Sequence, residues 1–412
     1  MAIVLTILVS VVSILLRPLA EEHSQRQHLG AEYYNVARAL VDGRGFSDPF
    51  GERTGPTAWV SPLYPALLAT LLSLFGKKSA VATIVVWLTN ASTVVGGVTL
   101  YALARRTLRR LSPLVPLVFY ILWLAAFFYW FFLLTSDIWL LMLVGVGMTA
   151  TGLRYTQDQC VQPVKWGIWG GLASVVSPAL ALAWGCLGVG LWLRSRSQSR
   201  SWLLAGAIMA SAAAPWTLRN AVVFHAFIPT KANLGYEQFQ ANLVDQDGVY
   251  DVRTFEQHPY NRLSERFEFT RTGEQRYIGE HGQLFSGWAE EHPRELASKI
   301  WNRLTAALVR YVPLWPIVAG SLDDRWASFA QVLLPIPTLL VLAGLFFRRG
   351  EHARALRLFG VFFAIYLSGY VLFAYYMRFL LPLTPLLLLM ASWGLDHLLG
   401  LRRRNEGHVV EV

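Results

Sequence analysis

Glu32 is the residue whose surroundings most suggest chemistry. It lies in a polar stretch, Glu21–Pro65, with Gly30 before it and Tyr33 and Tyr34 after it. A carboxylate among aromatic rings near an apolar boundary is partly desolvated, which suits a general base. The same position also fits a solvated charge on a loop helix. Asp137 follows Thr135 and Ser136 at a short turn between two apolar runs; it fits either a functional acid or a helix cap. Arg219, beside Asn220, and Arg378, between Tyr376 and Pro382, each stand at the end of an apolar run. An arginine there can grip a lipid phosphate through two N–H groups or snorkel to the interface. His258 and His281 lack metal-ligand spacing, and no phosphate-binding loop, dinucleotide fingerprint or nucleophile elbow is present.

The elements that must position these residues are membrane helices. Of 412 residues, 54% are hydrophobic and only 15% charged, against about 25% charged in a soluble domain. The mean hydropathy is +0.40, and the apolar residues fall in long runs, so the expected fold class is an all-α polytopic integral membrane protein. The net charge of +10 is explained by basic helix ends and does not point to nucleic acid. Two cysteines, Cys160 and Cys186, exclude a disulfide framework.

Ten spans are expected. They are Ala2–Leu19, Ser79–Ala104, Pro113–Leu134, Ile138–Leu153, a pair sharing Trp166–Leu193 and broken near Ser177–Pro178, Trp202–Val223, Trp326–Phe347, Leu358–Tyr375 and Phe379–Leu401. The first has no basic residue before it and no small-residue cleavage site after it, so no cleavable leader is expected. It is short for a span, as a start upstream of Met1 would leave it. Helical spacing recurs over Glu32–Val41, Pro62–Phe75 is too short to cross, and Ile300–Ala319 reads as amphipathic and interfacial. Five basic segments, Arg105–Arg110, Arg154–Lys165, Arg194–Arg200, Arg348–Arg357 and Arg402–Arg404, then fall on one side. The positive-inside rule makes that side cytoplasmic, with both termini, and puts the long polar segments Glu21–Ser61 and His225–Lys299 outside. The chain divides into 1–223, a membrane core with the first outer loop; 224–319, an outer polar segment; and 320–412, the last helices and a basic tail. No internal repeat of the kind common in transporters is found, and the spans are nearly free of charge except at Asp396.

The pattern EYYNVARALVDGRGFSDPFG from Glu32, TGPTAW from Thr54 and PLYP from Pro62 resembles the first outer loop of GT-C superfamily membrane glycosyltransferases. The bacterial branch near protein mannosyltransferase family 39 and the Rgt-type enzymes is the most similar. APWTLRN from Ala214, FIPTKANLGYE from Phe227, GEQRY from Gly273 and YMRFLLPLTP from Tyr376 extend the resemblance over nearly the whole chain.

The resemblance implies transfer of a sugar from a polyprenyl-phosphate donor to a lipid, glycan or protein acceptor, usually with inversion. It places this at the outer face of a bacterial inner membrane. It implies that an acid in the first outer loop is the base, a slot filled here by Glu32 as a shifted match: Leu29–Gly30 stand where relatives carry an Asp-Glu pair. Asp137 matches the acid at the start of the fourth span. Ser177–Pro178 replaces the Arg-Pro often found in the fifth. Arg219 and Arg378, with Lys231 and Arg53 behind them, become candidates for the donor phosphate. Tyr33, Asn220, Asn233, Glu237 and His258 become candidates for substrate binding. Metal dependence varies in the superfamily; nothing in the residues demands a metal, and a divalent cation stays optional. A lipid or solute transporter and a catalytically silent relative are the alternatives.

Overall fold

Length and apolarity decide which helices can cross a bilayer, since a hydrocarbon core about 30 Å thick needs about 20 residues of helix. The computed structural model describes residues 28–314, 320–346 and 352–408, together with Val4, Leu8 and Val11. Among these residues the chain is helical, with isolated bridges such as Ser47–Pro56 in place of strands. Among the described residues, six helices are long and apolar enough to span: Lys78–Thr107, Ile138–Asp158, Arg196–Phe224, Asp324–Phe346, Ala353–Val371 and Met377–Gly400. The protein is a helical membrane protein. The expected first span, Ala2–Leu19, lies outside the described residues apart from those three positions.

The helices are α1 Ala31–Val41, α2 Leu63–Phe75, α3 Lys78–Thr107, α4 Leu114–Ala126, α5 Ile138–Asp158, α6 Pro163–Val176, α7 Pro178–Arg194 and α8 Ser199–Phe224. There follow α9 Leu234–Phe239, α10 Leu263–Thr272, α11 Glu274–Glu291, α12 Pro293–Leu308, α13 Leu322–Leu333, α14 Pro335–Phe346, α15 Ala353–Val371 and α16 Thr384–His408.

Several expected boundaries move for local reasons. The third span is not continuous, because α4 ends at Ala126 and a π-helical turn, Tyr129–Leu133, follows. The polar loop expected from Arg154 begins only at Gln159, because Tyr155 is buried edge-on against Trp166 and Trp202 and holds α5 helical to Asp158. The break at Ser177–Pro178 is where expected. Proline lacks an N–H and suits a first helical position, and the Ser177 hydroxyl accepts from Leu180 N. The halves α6 and α7, with 14 and 17 residues, are each short of a full crossing.

One hydrophobic cluster runs from Leu29 through Trp123, Trp184 and Tyr366 to Trp393, so the first and last parts of the chain share a core. The segment expected as one long polar loop is largely helical (α9 to α12). It is tied down by buried cations: Lys299 Nζ donates to the Asn242 and Asp245 carbonyls at 2.6 and 2.7 Å, and Arg303 Nε to the Val371 carbonyl at 2.8 Å. The expected amphipathic stretch Ile300–Ala319 is helical as part of α12 to Leu308, and 315–319 lie outside the described residues. The lone charge noted in the last span, Asp396, is buried and accepts from the backbone N–H groups of Arg110 and Leu111 at 2.7 and 2.8 Å, anchoring that loop.

Candidate active site

Glu32 owes its place to the turn before it. Leu29 and Gly30 both have positive φ, 58° and 72°, and the Leu29 N–H donates to Thr135 Oγ1 at 3.1 Å. A Cβ at Gly30 would come within 2.5 Å of the Tyr33 ring, so only glycine fits the entry to α1. This turn sets Glu32 and Tyr33 in the first turn of α1, facing the Thr135–Asp137 corner.

Asp137 does not cap α5 with its side chain; the neighbouring Ser136 Oγ stands 3.5 Å from the Ile138 N–H instead. The Asp137 carboxylate accepts from Arg378 Nη2 at 2.9 Å through one oxygen and from the Tyr33 hydroxyl at 3.3 Å through the other. Burial holds the Tyr33 phenol far above its ordinary range, so it stays neutral and donates. Asp137 is therefore the counter-ion and orienter of Arg378.

On the other wall, Glu237 Oε1 accepts from Asn233 Nδ2 at 2.8 Å and lies 3.8 Å from Lys231 Nζ, while Oε2 accepts from the Tyr250 hydroxyl at 2.9 Å. His258 is buried, with Nε2 3.6 Å from Glu32 Oε1.

These walls enclose two adjoining cavities. The first, about 420 Å³, is lined by Glu32, His258, Tyr250, Tyr260, Tyr376 and Asn261 among others. The second, about 320 Å³, runs among apolar residues of α5, α6, α7, α15 and the turn after α15, including Leu141, Val176, Leu182, Gly369 and Phe373. Tyr33, Lys231, Asn233, Glu237, Arg378 and Phe379 line both and form the neck. A carboxylate in an aromatic, polar chamber can take a proton from a hydroxyl. Two cations at the neck can donate hydrogen bonds to a phosphate, and an apolar channel can take a hydrocarbon chain.

Of the residues expected from sequence, Glu32, Tyr33, Asp137, Lys231, Asn233, Glu237, His258 and Arg378 come together here. Arg219, Asn220 and Arg53 do not line either cavity. Arg219 donates to the carbonyls of Thr57 and Phe46, both at 2.7 Å, and packs over Trp216. Asn220 is fully buried and donates to the Ile228 carbonyl at 2.9 Å. Arg53 is exposed on its turn at φ 67°. The first polar segment is clasped from the other side by Glu274, which accepts from the Ala58 N–H at 2.7 Å and from the Thr57 hydroxyl. Burial pushes its carboxyl up to about 7.

His28, Gln240, Tyr250, Tyr260 and Asn261 also line the first cavity without having been anticipated; no local pattern marks them, because folding alone brings them in. Among the described residues no group of three or more His, Cys, Asp or Glu side chains is placed to hold a metal ion. No protein-family model, no curated protein and no solved structure matches the chain.

Proposed function

We propose that the protein is a GT-C-type glycosyltransferase. It moves a sugar from a polyprenyl-phosphate donor to a lipid, glycan or protein acceptor at the outer face of a bacterial inner membrane. The observation that carries this reading is the shared neck: Arg378 and Lys231 line both the cavity that holds Glu32 and the apolar channel beside it. The hydrocarbon chain lies in the channel, the phosphate meets the two cations, and the sugar projects toward Glu32. The acceptor hydroxyl gives its proton to Glu32, its oxygen bonds to the anomeric carbon from the opposite face, and the carbon–phosphate oxygen bond breaks with its electron pair leaving on the phosphate. Membrane lipids surround the chain. Ten spans with both termini cytoplasmic belong to this reading, since the five basic segments then share the inner side.

The test is transfer by purified protein in nanodiscs from radiolabelled polyprenyl-phosphate mannose, glucose, galactose and arabinose, with membrane extract as acceptor. Transfer from one donor, reduced at least about a hundredfold in Glu32→Gln as expected for loss of a general base, supports the enzyme. Donor binding without transfer identifies a silent relative. Absence of both removes the reading.

A further inference from the structure

We propose that His258 is the positioning residue for Glu32: a neutral imidazole carrying its proton on Nε2, which steadies the carboxylate and neither accepts nor relays a proton during transfer. The proposal rests on Glu32 being the base, but its tautomer can be tested without any activity.

The ring nitrogens are assigned by their neighbours. The backbone N–H of Tyr260 points at His258 Nδ1, 3.2 Å away. A backbone amide donates only, so Nδ1 must present its lone pair. The remaining ring proton then sits on Nε2, on the side of Glu32 Oε1. A doubly protonated ring would set one N–H against another at Tyr260 and lose that bond in a buried place.

The ring is also held in orientation. Phe50, Trp59 and Tyr236 meet it edge-on, with centroids 5.3, 5.9 and 5.6 Å away. Its backbone carbonyl accepts from the N–H groups of Asn261 and Arg262 at 2.8 and 2.9 Å. Turning the ring over would give up both the Tyr260 and the Glu32 contacts. The charged groups facing it are Glu32 from α1 and Glu237 from α9; both favour the imidazolium, but burial outweighs them and lowers its proton affinity.

A relay through His258 would need Nδ1 to pass a proton on, and Nδ1 faces an amide that cannot take one. The proton that Glu32 removes from the acceptor therefore stays on Glu32 and leaves through the cavity after the product. The 3.6 Å gap is longer than a hydrogen bond, as such contacts often are before substrate tightens them.

The experiment is nitrogen-detected NMR of full-length protein labelled with 15N-histidine in nanodiscs between pH 5 and 8, with His258→Gln assigning the signal. The expected spectrum is a neutral ring protonated at Nε2 at neutral pH, charging only below the ordinary pH of about 6.5, with an Nε2 resonance that shifts in Glu32→Gln. Protonation at Nδ1, an imidazolium forming at or above the ordinary pH of about 6.5, or an Nε2 signal indifferent to Glu32→Gln would overturn the proposal. In the transfer assay His258→Ala should lose about tenfold to a hundredfold, as misplaced catalytic groups do. His258→Gln, which keeps an N–H donor but cannot relay, should recover most of that loss with an unchanged pH profile. Loss in the Gln variant as deep as in Glu32→Gln would make His258 a proton carrier and sink the idea. If the wild type transfers nothing, the enzyme reading fails, while the spectra still decide the tautomer.

Discussion

Glu32 and Asp137 are acids of the same kind with different fates. Glu32 lies 3.6 Å from His258 Nε2 and opens into the first cavity, whereas Asp137 is 3% exposed and spent on Arg378 and Tyr33. Asp137→Asn should therefore act on stability: it leaves the Arg378 charge buried without its counter-ion, at a cost of about 3 kcal/mol. A thermal melt in detergent should show a clear drop for Asp137→Asn and almost none for Glu32→Gln. Equal melts would mean that the ion pair is not formed. The two arginines separate in the same way. Arg378→Ala should weaken binding of a polyprenyl-phosphate sugar, while Arg219→Ala should leave that affinity alone and lower the melt, because Arg219 holds loop carbonyls. A loss of donor affinity in Arg219→Ala would return it to the phosphate site. The sequence marked both acids and both arginines as candidates. It could not sort them, because their partners come from far along the chain: Asp137 meets Tyr33 across 104 positions and Arg378 across 241.

Elements defined by local chemistry were readable, and elements defined by packing were not. The α6–α7 break follows from Ser177–Pro178, and α1 from the spacing of Val36, Ala37 and Leu40. The helices α10 and α11 were missed because their mean polarity resembles a loop; they are held by a few buried rings, Phe269, Tyr277 and Tyr236. The clasp between α11 and the first polar segment has a consequence in pH. The folded Glu274 carboxyl titrates at about 7, above its ordinary 4.5, because burial disfavours the charge. A raised folded value means that the folded state binds the proton more tightly. The stabilisation is thus full below about pH 4.5 and is lost as pH rises through 7, by on the order of 3 kcal/mol at most. Melts at pH 5.5 and 8.0 should fall toward the higher pH, and Glu274→Gln, which mimics the protonated form, should flatten that slope. A slope that survives the substitution would place its origin elsewhere.

At the scale of the molecule, depth in the bundle and position along the bilayer normal are separate gradients. The window within Met377–Gly400 is 89% buried and that within Arg196–Phe224 only 17%, so the last helix is central and α8 faces outward, with Leu218 and Val222 exposed. Hydropathy alone identified both as spans but could not rank them, since apolar residues suit lipid and core alike. Along the normal, α5 is the ruler. Its 21 residues measure about 31 Å, close to the hydrocarbon thickness. Asp137 and the cavity neck stand at one end, and Cys160 stands just past the other. If the cavity faces outward, Cys160 must face the cytoplasm. Cys160 is exposed; Cys186 lies within apolar α7 and is removed by Cys186→Ser to leave one reporter. A membrane-impermeant maleimide should then fail to label intact cells and label them once permeabilised. The converse reporter is Ser286→Cys on the exposed side of α11, made without either native cysteine, which should label in intact cells. Labelling of Cys160 from outside would turn the cavity to the cytoplasm, away from the outer-leaflet donor on which the proposed transfer depends.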